Sequence, residues 1–224
     1  MKQIKTEAII LRRTNYGEAD RILKLLTPHD GVVSAIAKSV RKTKSKLAGG
    51  LELFATCDVT ILEGRGELGI VTSARLRQFY GHILQDYDRM QFAYEAIKRV
   101  STAVATVAEP EFYELLAHIY HSLDNLQIDW RLSEVWFRLR LAQLLGRGLN
   151  LRYDVSGAKL DAEKLYGFDV GEMGFIESAT GRFRAADIKF LRLAAVKSPE
   201  VLAHIGGLDE VIENCLWLSR VASE

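Results

Sequence analysis

The hydrophobic period of this chain changes once, near residue 80, and that change separates what its two parts can fold into. Before it, apolar residues alternate with polar ones. Leu53, Ala55, Cys57, Val59 and Ile61 are apolar while Thr56, Asp58 and Thr60 between them are polar, which is the pattern of a half-buried strand. Residues 68–77 repeat it, with Leu68, Ile70, Ala74 and Leu76 expected inward and Ser73, Arg75 and Arg77 outward. Further strands are expected over 3–13, 19–26 and 32–38, joined by the turn formers Asn15-Tyr16-Gly17 and Pro28-His29-Asp30-Gly31.

Five strands in residues 1–80 suit a small closed barrel, because closure removes the unpaired edges of an open sheet. An OB-fold is the economical choice, and its third-to-fourth strand connection is then residues 38–52. After Tyr80 the period is helical. Ile83, Tyr87, Met90, Tyr94, Ile97 and Val104 form one apolar face. Pro110 opens a second helix through Phe112, Leu115, Leu116, Ile119 and Leu123, and Asp129 caps a third that Gly146-Arg147-Gly148 stops. Residues 150–183 lose the period and carry five glycines, with strand-like pieces at 165–169 and 175–177, so a hairpin insert is expected there. Helix returns over 185–196, 199–205 and 208–221. The expected architecture is α+β: an OB-fold barrel over 1–80, then an all-α domain over 81–224 with a hairpin insert at about 150–183.

Charge divides at the same place. Residues 1–80 carry 14 Lys and Arg against 8 Asp and Glu, and the remainder 16 against 21, under a net charge of only +1. No acid occurs between Asp30 and Glu52, and Lys38, Arg41, Lys42, Lys44 and Lys46 place five cations within nine residues. Such an excess attracts a polyanion over about 8 Å at physiological salt. Beside outward Arg75 and Arg77, this loop gives a barrel a groove that tracks a phosphate backbone, so nucleic acid is the leading ligand. Residues 1–78 contain only two aromatics, Tyr16 and Phe54, so binding is expected mainly through phosphates. A protein that grips backbones and leaves base edges free is suited to letting strands pair.

Other motifs carry less. Gly64-Arg65-Gly66-Glu67-Leu68-Gly69 fits the spacing of a dinucleotide fingerprint, but strand-like alternation lies on both sides, so a hairpin turn is the better account. Glu114, His118, His121 and Asp124 share a helix face at spacings open to a divalent metal, yet no second cluster completes a site. The two cysteines, Cys57 and Cys215, build neither a disulfide framework nor a four-cysteine zinc site. No nucleophile–base motif is recognisable. The first apolar run, Ala8 to Leu11, is too short for a signal peptide, and a cytoplasmic location without membrane contact is expected.

The run Ala8-Ile9-Ile10-Leu11, Gly17-Glu18-Ala19-Asp20, Leu26-Thr27, Gly31, Ala37-Lys38, Arg41, Ser45, Leu47, Gly64-Arg65-Gly66-Glu67 and Ser73-Ala74 resembles the N-terminal part of the RecO recombination-repair proteins. Phe137–Gly148 and Gly174-Phe175-Ile176 resemble the family's later helix and insert. The resemblance implies a non-enzymatic mediator, without cofactor, that binds single- and double-stranded DNA, anneals complementary strands, and acts with RecR to help RecA replace the single-strand-binding protein SSB, in association with the nucleoid. Two departures stand out. Many members carry a four-cysteine zinc module in the insert, where this chain has Tyr153-Asp154-Val155-Ser156-Gly157, so zinc is expected to be absent. Ser39 also follows Lys38 where members commonly have glycine, which bears on the path of the basic loop. SSB-type tails are acidic and end in an apolar residue, so their receptor joins a basic rim to an apolar pocket. The third helix offers Trp136, Arg138, Arg140 and Arg147, although Trp136 as core and the arginines as surface is the simpler account. Two other classes compete: a protein-interaction adaptor that binds no DNA, and a metal-dependent hydrolase built on Glu114, His118 and His121.

Overall fold

The computed structural model describes residues 2–64, 66, 68–106 and 110–223. Alternation in the first part yields β1 (Gln3–Tyr16), β2 (Asp20–Thr27), β3 (Gly31–Ala37), β4 (Ala55–Leu62) and β5 (Gly69–Phe79). They close into a barrel in the order β1-β2-β3-β5-β4, antiparallel except for a short parallel β3–β5 seam at Ala35 and Ile36 against Gly69 and Ile70. This strand order is that of an OB-fold. Ile4, Ala8, Ile10, Leu23, Leu25, Ala35, Ala37, Cys57, Val59, Ile61 and Val71 fill the interior. Burial pushes the Cys57 thiol up to about 12, and its Sγ donates to the Ala8 carbonyl at 3.3 Å, so it is a core donor and no nucleophile.

β5 departs from simple alternation at two bulges. Thr60 faces Ser73 and Ile61 faces Val71, leaving Thr72 extra; Thr56 faces Gln78 and Cys57 faces Leu76, leaving Arg77 extra. Each inserted residue shifts the side-chain phase by one. Val71, before the first bulge, is therefore buried opposite Ile61, where alternation points to Ile70; beyond it Ala74 and Leu76 face buried Val59 and Cys57, while Leu68, ahead of β5, and Leu76 are 37% and 38% exposed rather than buried as expected. Between β4 and β5, antiparallel neighbours, lies the glycine-rich stretch 64–69, of which Arg65 and Glu67 are outside the described residues. A strand follows it, and the first α-helix begins only at Tyr87.

That helix is α1 (Tyr87–Ala103), capped by Asp86, whose carboxylate accepts the Arg89 N–H at 3.1 Å. It and α2 (Glu111–Asp124) belong to the same compact unit as the barrel, residues 1–124. Phe54 ties the two helices to the barrel. Its ring is 2% exposed and meets Tyr94 of α1 and Tyr120 of α2 edge-on, centroids 4.9 and 5.8 Å away. The barrel's unit thus extends past the boundary expected at residue 80.

Residues 125–224 form the second unit. Asp129 caps α3 (Trp130–Leu144) as its sequence position predicts, accepting the Arg131 N–H at 2.9 Å. α3 packs on α4 (Ala185–Ala194), α5 (Pro199–Leu202) and α6 (Leu208–Val221). The insert is a two-stranded hairpin, β6 (Tyr166–Asp169) and β7 (Gly174–Glu177), with Tyr166, Phe168, Phe175 and Phe183 stacked edge-on. Its sequence lacks the thiols of the zinc module, and the donors present do not fit that metal: Cys57 and Cys215 are both buried elsewhere. Carboxylates organise the turns instead. Asp154 Oδ1 accepts from the Ser156 and Ala158 amides at 2.9 and 3.0 Å and from the Ser156 hydroxyl at 2.7 Å, while Asp169 Oδ1 accepts from the Glu172 amide at 3.0 Å. The Val155 N–H then donates to Phe175 O at 2.8 Å, joining the first turn to the hairpin. No described helix is long and apolar enough to cross a membrane.

Candidate nucleic-acid interface

Leaving β3, the chain enters the basic loop through Lys38 and turns at Ser39, whose φ of 54° lies in the left-handed region. A side chain there is unfavourable by about 1–2 kcal/mol, and the neighbouring hairpin supplies compensation. Asp20 Oδ1 accepts the Ser39 N–H at 2.7 Å, and the Ala19 carbonyl accepts the Arg41 N–H at 2.9 Å. The Arg41 guanidinium donates to the Gly17 carbonyl at 3.4 Å. The loop is thereby fastened to the tip of the β1–β2 hairpin at three points.

Apolar anchors hold the rest. Val40 is 2% exposed and inserts into the barrel core, with Leu47 packed on the same cluster. Fully burying a valine contributes roughly 1.5–3 kcal/mol, whereas two like charges 8 Å apart in water repel by about 0.5 kcal/mol. Burial wins, so the loop keeps its shape despite its charge. At its far end the chain passes β5 so closely that a Cβ on Gly50 would lie 2.6 Å from the Ala74 carbonyl carbon and 2.9 Å from the Arg75 amide. Only glycine permits that approach, which lays the end of the loop along the stretch of β5 that bears Arg75.

Lys38, Arg41, Lys42, Lys44, Lys46 and Arg75 are all exposed, and among the described residues none of the six makes an ion pair. Arg77 differs. Standing at the second β5 bulge, its guanidinium pairs with Glu7 of β1 and lies 3.4 Å from Asp58 of β4. Glu7 and Asp58 are directly opposite in the β1–β4 register, a like-charge pair that destabilises unless a cation bridges it. Arg77 is that bridge, and the Tyr113 hydroxyl donates to the other Glu7 oxygen at 3.0 Å. Arg77 therefore serves the barrel wall, and the cationic rim consists of the other six residues. A remote carboxylate such as Glu7 leaves no local trace in the sequence around Arg77.

The residues considered for partner binding separate in the same way. Trp136 is 7% exposed and Arg138 4%, the latter donating to buried Glu134 at 2.7 Å, so both belong to the interior. The expectation of a surface Arg138 is corrected: Glu134, also held by Arg220 at 2.8 Å, gives its charge a reason to be buried. Arg140 is half-buried and donates to Gln143 at 2.8 Å. Arg147 is exposed and stands on a cavity of about 470 Å3 lined by Leu149, Val170, Met173, Val221 and Ala222. On α2, Glu114, His118 and His121 are exposed while Asp124 accepts the His82 amide at 2.8 Å; no three His, Cys, Asp or Glu side chains among the described residues are arranged to hold a metal ion.

Comparison with known proteins agrees with this geometry. Residues 1–80 match the family model described as Recombination protein O N terminal. A DNA repair protein RecO of Dehalococcoides mccartyi is 37% identical over 149 residues, 66% of this chain and 58% of that protein. RecO of Desulfatibacillum aliphaticivorans is 30% identical over 65% of this chain and 58% of its own length, and that of Syntrophomonas wolfei is 25% identical over 76% and 68%. The chain thus spans little more than half the length of the first two relatives. Residues 1–80, which form the five-stranded barrel and its cationic loop, thus match the N-terminal domain of the RecO family, and the chain is similar to DNA repair proteins RecO over about two thirds of its length.

Proposed function

We propose that this chain is a DNA-binding mediator of repair and recombination. It grips the sugar-phosphate backbone of single- and double-stranded DNA with the rim formed by Lys38, Arg41, Lys42, Lys44, Lys46 and Arg75. The observation that carries this reading is a fixed loop with five exposed cations, none of them neutralised among the described residues. Backbone contacts leave base edges exposed, which favours annealing of complementary strands over their sequestration. By family kinship the chain acts at the nucleoid without catalysis of its own, together with RecR, and assists RecA in displacing SSB. The cavity beside Arg147 supports the SSB contact, since one cation at the mouth of an apolar pocket suits an acidic tail that ends in an apolar residue.

Salt dependence tests the reading. Five phosphate contacts on a single strand give a slope of log K against log salt near −3.5, at about 0.7 per contact. Replacing Lys42, Lys44 and Lys46 by alanine removes three contacts and flattens the slope by about 2. A triple variant with the wild-type slope would take the loop out of DNA binding.

A further inference from the structure

Tyr16 ends β1, opposite Asp20 in register, at the very hairpin tip whose Gly17, Ala19 and Asp20 hold the cationic loop. Its ring is 56% exposed, and among the described residues it makes no ring contact and no side-chain hydrogen bond. Phe54, the other aromatic of residues 1–78, is buried at 2%. An unpartnered ring beside a row of unneutralised cations has the two parts of a single-strand site: charge for the backbone and a flat apolar face for a base.

We propose that Tyr16 is a stacking platform for one unpaired base of a strand whose phosphates lie on the Lys38–Lys46 loop. The proposal rests on the DNA-binding reading above and adds strand discrimination to it. Glu18, exposed at the same tip, repels phosphate and keeps the backbone on the loop side. Stacking uses the face of a base and leaves its pairing edge open, so the contact is compatible with annealing. Inside a duplex both faces of each base are already covered by its neighbours, so Tyr16 acts on unpaired bases.

The full chain and its variants are titrated, by fluorescence anisotropy, with three probes: an oligothymidylate, an abasic strand of equal length, and a duplex. Tyr16→Ala weakens binding to the oligothymidylate about tenfold, within the range for loss of one stacked base, and leaves the abasic strand and the duplex unchanged. Tyr16→Phe keeps wild-type affinity for all three, because the ring and not the hydroxyl is used. An unchanged affinity of Tyr16→Ala for oligothymidylate overturns the proposal, as does an equal loss on all three probes. A wild-type chain that binds none of them overturns the DNA-binding reading and this proposal with it, an outcome distinct from the others because they require wild-type binding.

Discussion

Ser39 shows how one residue's backbone fixes the course of the basic loop. Its left-handed conformation is unfavourable by about 1–2 kcal/mol for any residue with a Cβ, and the Asp20 carboxylate on its N–H offsets part of that. Glycine would take the same conformation without strain but gains about 0.4–1 kcal/mol of unfolded-state entropy to lose. Ser39→Gly is therefore expected to stabilise the fold by roughly 0.5–1 kcal/mol, read as a higher denaturation midpoint in urea at unchanged slope. An unchanged or lower midpoint would show that the serine is not strained. At this scale the sequence is legible where charge is concerned and illegible where partners are remote. Five cations in nine residues announce themselves, whereas the pairing of Arg77 with Glu7 and the burial of Arg138 on Glu134 depend on contacts that no local pattern contains.

Among the elements, strand and helix placement followed periodicity closely, because most strands keep one face in the barrel and the helices bury an apolar stripe. β5 is one exception, since the bulges at Thr72 and Arg77 each add a residue that an alternation count reads as a change of face; α1 is another, for it buries Phe92, Ala93, Ala96, Ile97 and Val100, while Tyr87 and Tyr94 of the expected apolar face are 68% and 45% exposed. The insert is a second case in which chemistry replaced expectation: its turns are closed by aspartate oxygens. The Ser156 hydroxyl first, then the Ala158 and Ser156 amides, hold the Asp154 carboxyl below its usual range. A carboxylate so depressed stabilises the turn above its unfolded-state pKa, about 3.9, and that contribution is lost as pH falls through the lowered folded value. Exchange protection of the Ser156 and Ala158 amides, referred to their intrinsic rates, should accordingly fade as pH is taken below about 4. Asp154→Ala should abolish the protection even at neutral pH. Protection that persists unchanged into strong acid would assign the turn to other contacts.

Across the whole molecule, the division into residues 1–124 and 125–224 says which parts fold together. A fragment of residues 1–124 keeps Phe54 between Tyr94 and Tyr120 and keeps Tyr113 on Glu7. It should unfold cooperatively and retain the salt-dependent DNA binding of the full chain. A fragment ending at residue 80 uncovers Phe54 and should aggregate or lack a cooperative transition; if it melts as sharply as the longer one, the two helices are dispensable to the barrel.

The clamp between the β1–β2 tip and the basic loop has a kinetic side. Because Asp20, Ala19 and Gly17 already hold the loop's entry in place, the DNA-binding proposal implies that an arriving strand would find its receptors in position, with little main-chain motion left to arrest. On that proposal capture would proceed as fast as collision and long-range attraction allow, without a waiting step in which the receiving surface assembles itself.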